Sequence, residues 1–122
     1  DVTYALKSVV NGGAGSAGLA LGRPAAGKTG TSQSNASAWF SAYTPQLAAS
    51  VALFRDSASE SLNGIGGLTS VTGGTFPARI WTAFMKGALK GEPIMSFPEP
   101  ANVGGLEPID MTTGGVQVRK PK

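Results

Sequence analysis

The stretch Gly22-Arg23-Pro24-Ala25-Ala26-Gly27-Lys28-Thr29-Gly30-Thr31 gathers the residue types of this chain best suited to chemistry, and it scans in two ways. From Gly22 to Thr29 it fits G-x-x-x-x-G-K-[ST], the loop whose backbone N–H groups cradle phosphates. From Lys28 to Gly30 it is Lys-Thr-Gly. As an extended segment at a cleft edge, that would put Lys and Thr side chains on view beside a glycine that lets a substrate pass. The two readings demand different surroundings. A phosphate loop must open a helix, whose N-terminal N–H groups and dipole bind the anion. Thr29 is succeeded instead by Gly30-Thr31-Ser32-Gln33-Ser34-Asn35-Ala36-Ser37, with no apolar residue larger than alanine. Its hydroxyl and amide side chains compete for the backbone and form helix poorly. The strand that should lead in is weak too, since Gly12 to Gly18 is mostly Gly, Ala and Ser before Leu19-Ala20-Leu21. A nucleotide-binding module through Gly22–Thr29 is therefore the alternative, and the extended reading is carried forward.

The elements that must position Lys28 and Thr29 can be read from the pattern around them. Strands are expected at about 25–32, 38–44 and 47–54. Trp39, Phe40 and Tyr43 favour strand, Thr44-Pro45-Gln46 signals a turn, and Leu47 to Phe54 is an apolar run of buried-strand length. Three successive extended segments make an antiparallel meander. A helix is expected over 2–10, capped by Asp1, with Val2, Ala5, Leu6, Val9 and Val10 on one face and Asn11-Gly12-Gly13 as its stop. A second is expected over 76–90. Pro77 lies in its first turn, Ile80, Trp81, Phe84, Met85, Ala88 and Leu89 form a broad apolar face, and Gly91 ends it. Residues 92–122 carry Pro93, Pro98, Pro100, Pro108 and Pro121 and read as an irregular tail. Residues 1–91 then hold what can pack, in an α+β arrangement of one domain at most.

Composition narrows the chemistry. With His 0 and Cys 0, a Ser-His couple, a Cys-His couple and an ordinary zinc site are all excluded. The carboxylates Asp1, Asp56, Glu60, Glu92, Glu99, Glu107 and Asp110 are scattered, which argues against paired-carboxylate catalysis and a metal cage. No metal and no cofactor are expected. A net charge of +3 spread over single basic residues, with a small basic end at Arg119, Lys120 and Lys122, is not a nucleic-acid groove. The longest apolar run falls far short of the ~20 residues a spanning helix needs.

Lys28-Thr29-Gly30-Thr31 is followed in order by Ala38-Trp39-Phe40, Tyr43-Thr44-Pro45-Gln46, Gly73-Gly74-Thr75-Phe76-Pro77-Ala78-Arg79-Ile80-Trp81 and Phe84-Met85. This ordered set closely resembles the end of the transpeptidase domain of class A, bifunctional penicillin-binding proteins, from about Val2 to Leu89. Ala14-Gly15-Ser16-Ala17-Gly18 and Gly22-Arg23-Pro24 are similar to that family's approach to the Lys-Thr-Gly strand. There is one departure. The family carries a Ser-x-x-Lys nucleophile motif and a Ser-x-Asn motif upstream. Here the serines before Lys28 are Ser8 and Ser16, and neither is followed by Lys at the third position. The chain thus looks like the C-terminal part of such a domain without its nucleophile.

The resemblance implies a penicillin-binding protein/serine β-lactamase-like fold and acyl transfer. A serine on a missing or separate chain would attack the D-Ala-D-Ala end of a peptidoglycan stem peptide. The resulting acyl-enzyme would pass to an amine, and β-lactam antibiotics would trap it. It implies catalytic roles for Lys28 and for the backbone N–H of Thr31, as one oxyanion donor. It implies substrate contacts for Thr29, Gly30, Thr31 and Ser32. The implied partners are a complementary N-terminal segment of the same domain, the stem peptide and β-lactams, with no nucleic acid. The implied location is the extracytoplasmic face of the bacterial membrane, anchored through an upstream segment that also bears a glycosyltransferase domain. This chain alone is expected to be inactive. A non-catalytic penicillin-recognising sensor is the further alternative.

Overall fold

A computed structural model describes residues 2–57 and 59–101. The expected Asp1 cap, the basic end and the tail beyond residue 101 lie outside the described residues. Helix α1 covers Val2–Val10, strands β1, β2 and β3 cover Ala26–Thr31, Ser37–Tyr43 and Ala48–Phe54, and helix α2 covers Phe76–Ala88. The strands form one antiparallel sheet in the order β1-β2-β3, with Lys28 opposite Ser41, Thr29 opposite Phe40 and Phe40 opposite Val51. The fold is α+β. No helix among the described residues is long and apolar enough to cross a membrane.

Alternation on β2 explains the two faces of the sheet. Ala38, Phe40 and Ala42 are buried while Trp39 and Ser41 are exposed. The β2–β3 turn closes because the Thr44 N–H donates to the Leu47 carbonyl at 2.9 Å, while its hydroxyl accepts from the Gln46 and Leu47 N–H groups. On the Phe40 face α2 lays Trp81 edge-on to Phe40, centroids 5.4 Å apart, with Met85 and Leu89 beside it. The Trp81 indole N–H is shared between the carbonyls of Ala42 and Ala49, each at 3.1 Å, which ties α2 to two strands at once. A second cluster of Ala38, Leu62 and Val71 fills the other end, supplied by the segment between β3 and α2.

Two details differ from the sequence-based expectations. The broad apolar face expected of α2 is split: Trp81, Met85 and Leu89 are buried, but Ile80 and Phe84 are 46% and 55% exposed. One sheet can cover only the stripe at i, i+4 and i+8, and these two lie off it. On α1, only Val10 is buried, and Val2 and Ala5 stand in solvent. The segment before Gly22, read as a poor lead-in strand, is indeed no strand but a 3-10 helix, Ser16–Leu21, ended by Gly22 at φ 74°, whose N–H returns to the Leu19 carbonyl.

Candidate active site

Lys28, Thr29, Gly30 and Thr31 occupy the C-terminal part of β1, an edge strand that no described strand flanks on its outer side. α1 packs against β1, and Ala26 and Gly27 are buried. From Lys28 onward the strand comes to the surface, with Lys28 and Thr31 exposed and Thr29 and Gly30 partly so. The phosphate-loop alternative fails here. Lys28 and Thr29 are ladder residues rather than the opening of a helix, and the first helical turn after them is the single 3-10 turn Gln33–Asn35.

The ladder dictates where the strand's polar groups point. The Ser32 N–H donates to the Ser37 carbonyl at 3.0 Å, so that pair is hydrogen-bonded. In an antiparallel ladder such pairs alternate with non-bonded ones, whose N–H and C=O face away from the partner. Thr31–Ala38 and Thr29–Phe40 are then non-bonded pairs, and the N–H groups of Thr29 and Thr31 face the free edge. The Thr29 carbonyl faces it too, where the Lys28 ammonium donates to it at 2.9 Å. Side-chain alternation sets Thr29 and Thr31 on the Phe40 face and Lys28 on the opposite face with Ser41. On that opposite face a concavity of about 510 Å³ opens beside Leu6, Lys28, Ser41, Tyr43 and Ser50.

Gly30 has no positive φ, and a Cβ built there would meet nothing nearer than the Trp39 Cβ at 3.4 Å, an ordinary contact. Nothing among the described residues requires glycine at this position. Ser32 is differently committed. Its hydroxyl accepts from the Ser37 N–H at 2.7 Å and donates to the Ser37 carbonyl, locking the β1–β2 hairpin. At the hairpin tip Ser34 and Asn35 adopt left-handed φ of 58° and 53°. Asn35 is braced there by side-chain bonds of 2.7 Å to both Asn63 and Ser70, and its carbonyl accepts from the Leu62 N–H.

The comparisons with known proteins decide the family. Penicillin-binding protein 1A of Mycolicibacterium smegmatis is 37% identical over 110 residues, covering 86% of this chain. That of Mycobacterium tuberculosis is 38% identical over 110 residues, again 86% of the chain. The solved structure of the penicillin-binding protein PonA1 from Mycobacterium tuberculosis superposes over 98% of this chain with a TM-score of 0.76 and 34% identity. Over most of its length the chain is similar to a segment of the class A penicillin-binding proteins. It spans 14% and 13% of the lengths of those two curated relatives and 33% of the PonA1 chain. A second PonA1 structure, in complex with penicillin V, matches 84% of this chain at a TM-score of 0.73 and 38% identity. No family model matches the chain.

Within this segment, Gly73, Asn35 and Ser70 carry no role on sequence grounds, yet all three contact or brace the Lys28–Thr31 strand and its hairpin. The Gly73 N–H donates to the Thr31 hydroxyl at 3.3 Å. The signal that could have found it is the adjacent pair Gly73-Gly74 just before a helix start. Glycine is the residue that lets backbones approach closely.

Proposed function

We propose that this chain is the C-terminal part of a D,D-transpeptidase domain that cross-links peptidoglycan stem peptides and is acylated by β-lactams. On this reading the nucleophilic Ser-x-x-Lys lies elsewhere in the complete domain. The serine attacks the carbonyl of the penultimate D-alanine, and the terminal D-alanine leaves with the proton needed to form its amine. The acyl group then passes to an amine of a neighbouring strand. Negative charge gathers on the carbonyl oxygen in each transition state, and fixed N–H donors aimed at that oxygen lower the barrier. The Thr31 N–H supplies one such donor. The hydroxyls of Thr29 and Thr31 receive the terminal carboxylate, and Lys28 contributes positive potential. Gly30 lets the substrate backbone lie flat, and Ser32 borders the cleft.

The observation that carries this reading is the exposed edge at Lys28–Thr31, with the N–H of Thr31 directed away from the sheet. The spare room at Gly30 also supports it, because a glycine that internal packing does not need is free to serve what passes over it. The Lys28 face of the sheet carries Trp39 and Phe54, 45% and 69% exposed, which supports a complementary N-terminal segment as partner. A membrane-anchored, extracytoplasmic setting with an upstream glycosyltransferase belongs to the same proposal.

The test is labelling of the full-length protein with a fluorescent penicillin, resolved by denaturing gel and intact mass. A covalent adduct on a serine of a Ser-x-x-Lys motif, lost on changing Lys28 and Thr29 together, is the expected result. A full-length protein that takes no label would sink the proposal.

A further inference from the structure

We infer that Gly73 is a positioning residue for the anion-binding hydroxyl of Thr31, an inference that rests on the transpeptidase reading and deepens it. The Gly73 peptide is held at both ends. Its carbonyl accepts from the Ala78 N–H at 3.2 Å in the first turns of α2, and its N–H donates to the Thr31 hydroxyl at 3.3 Å. It lies flat on the β1–β2 ladder. A Cβ at residue 73 would fall 2.0 Å from the Trp39 carbonyl oxygen and 3.0 Å from the Gly30 nitrogen and oxygen. All three are backbone atoms with nowhere to go. Gly74 is wedged equally tightly on the other side, where a Cβ would meet the Ala14 carbonyl oxygen at 1.9 Å.

The chemistry rests on the bonding capacity of a hydroxyl. It has one proton to give and two lone-pair positions to receive. With one lone pair occupied by the Gly73 N–H, the rotor is biased and the proton turns away from Gly73. Donation into the oxygen also polarises the O–H bond, making it a better donor. Thr31 is exposed, so that proton is presented to whatever anion docks at the strand. Gly73 thereby converts a freely turning hydroxyl into an oriented donor for a carboxylate, and α2 is the rigid body that holds it in place.

The experiment uses the full-length protein and compares acylation rate constants for a penicillin free acid and its methyl ester, which differ only in the carboxylate. Charge-assisted hydrogen bonds are strong enough that the unmodified protein should favour the acid by about tenfold or more. Gly73→Ala and Thr31→Val should each shrink that preference. The double variant should shrink it no further than Thr31→Val alone, because both act through one hydroxyl. Replacing Gly73 by glycolic acid removes the N–H without adding a side chain. It should reproduce the narrowing even if Gly73→Ala misfolds. An unchanged acid-to-ester ratio in the glycolate variant would overturn the role of Gly73 while leaving the transpeptidase reading standing. No acylation of the unmodified protein by either compound would overturn both.

Discussion

The Arg23 guanidinium donates to the Leu89 carbonyl at 3.2 Å and, from the same group, to the Glu92 and Pro93 carbonyls at 3.4 Å each. Arg23 sits just before β1, so the residue that leads into the Lys28 strand also closes the C-terminus of α2. A planar cation matches the negative end of the helix dipole and reaches three carbonyls at once. Arg23→Ala should destabilise the domain by about 1 kcal/mol. Arg23→Lys should recover only part of that, because one ammonium cannot reach all three acceptors. Hydrogen exchange of the amides at residues 89–92 against the global unfolding midpoint measures it.

Gly30→Ala should separate fold from function. Because a methyl group fits in the structure, the unfolding midpoint of the complete domain should change little. Penicillin acylation should nonetheless fall steeply, since the methyl would stand where substrate passes. Parallel loss of stability and acylation would refute the division.

Removing the Lys28 ammonium should weaken recognition of the anion rather than the fold. Lys28 is exposed, and among the described residues its ammonium bonds only the neighbouring Thr29 carbonyl. For Lys28→Ala we expect a fall in acylation of roughly 10- to 100-fold, from the ~1.5–3 kcal/mol of a hydrogen bond to a charged group. Circular dichroism should be unaltered.

Trp81→Phe keeps the ring against Phe40 but deletes the donor shared by Ala42 and Ala49. The expected cost is about 2 kcal/mol, combining lost hydrogen bonding with a small cavity. Urea denaturation of the complete domain would show it as a lower midpoint at unchanged slope.

The chain of residues 1–122 on its own should bind a hydrophobic dye and unfold without a sharp transition. Val2, Tyr4, Trp39 and Phe54 are all exposed, and α1 contributes only Val10 as a fully buried side chain. A compact monomer with cooperative unfolding would count against the need for a complementary segment.

Much of this fold was legible because its signals are local. Trp39, Phe40 and Tyr43 lead into a Thr-Pro-Gln turn, and Pro77 and Gly91 bracket a helical stripe; each is a short-range preference that the tertiary structure had no reason to override. The burial of that stripe was not legible. Periodicity marks Ile80 and Phe84 as apolar but cannot say that the sheet is too narrow to cover them. For the candidate site, the Lys28–Thr31 motif is marked in the sequence by residue type. Gly73 is not, because its importance lies in a contact with Thr31 and Trp39, more than thirty positions away, and a glycine carries no chemistry of its own. Arg23 was hidden for the same reason: its partners are backbone carbonyls, which every sequence has.

The free edge of β1 has a further consequence. The outward N–H groups of Thr29 and Thr31 are two residues apart, a spacing of roughly 6.6–6.8 Å, the repeat of any extended polypeptide. A peptide that docks there by its backbone is added as a fourth strand, and a β-lactam is a very short strand locked in shape. The same edge, in the isolated segment, offers unpaired N–H and C=O groups to any other extended chain. On the proposed function, ligand recognition and self-polymerisation would be one property of this strand, separated by whether the rest of the domain stands close enough to keep other chains out.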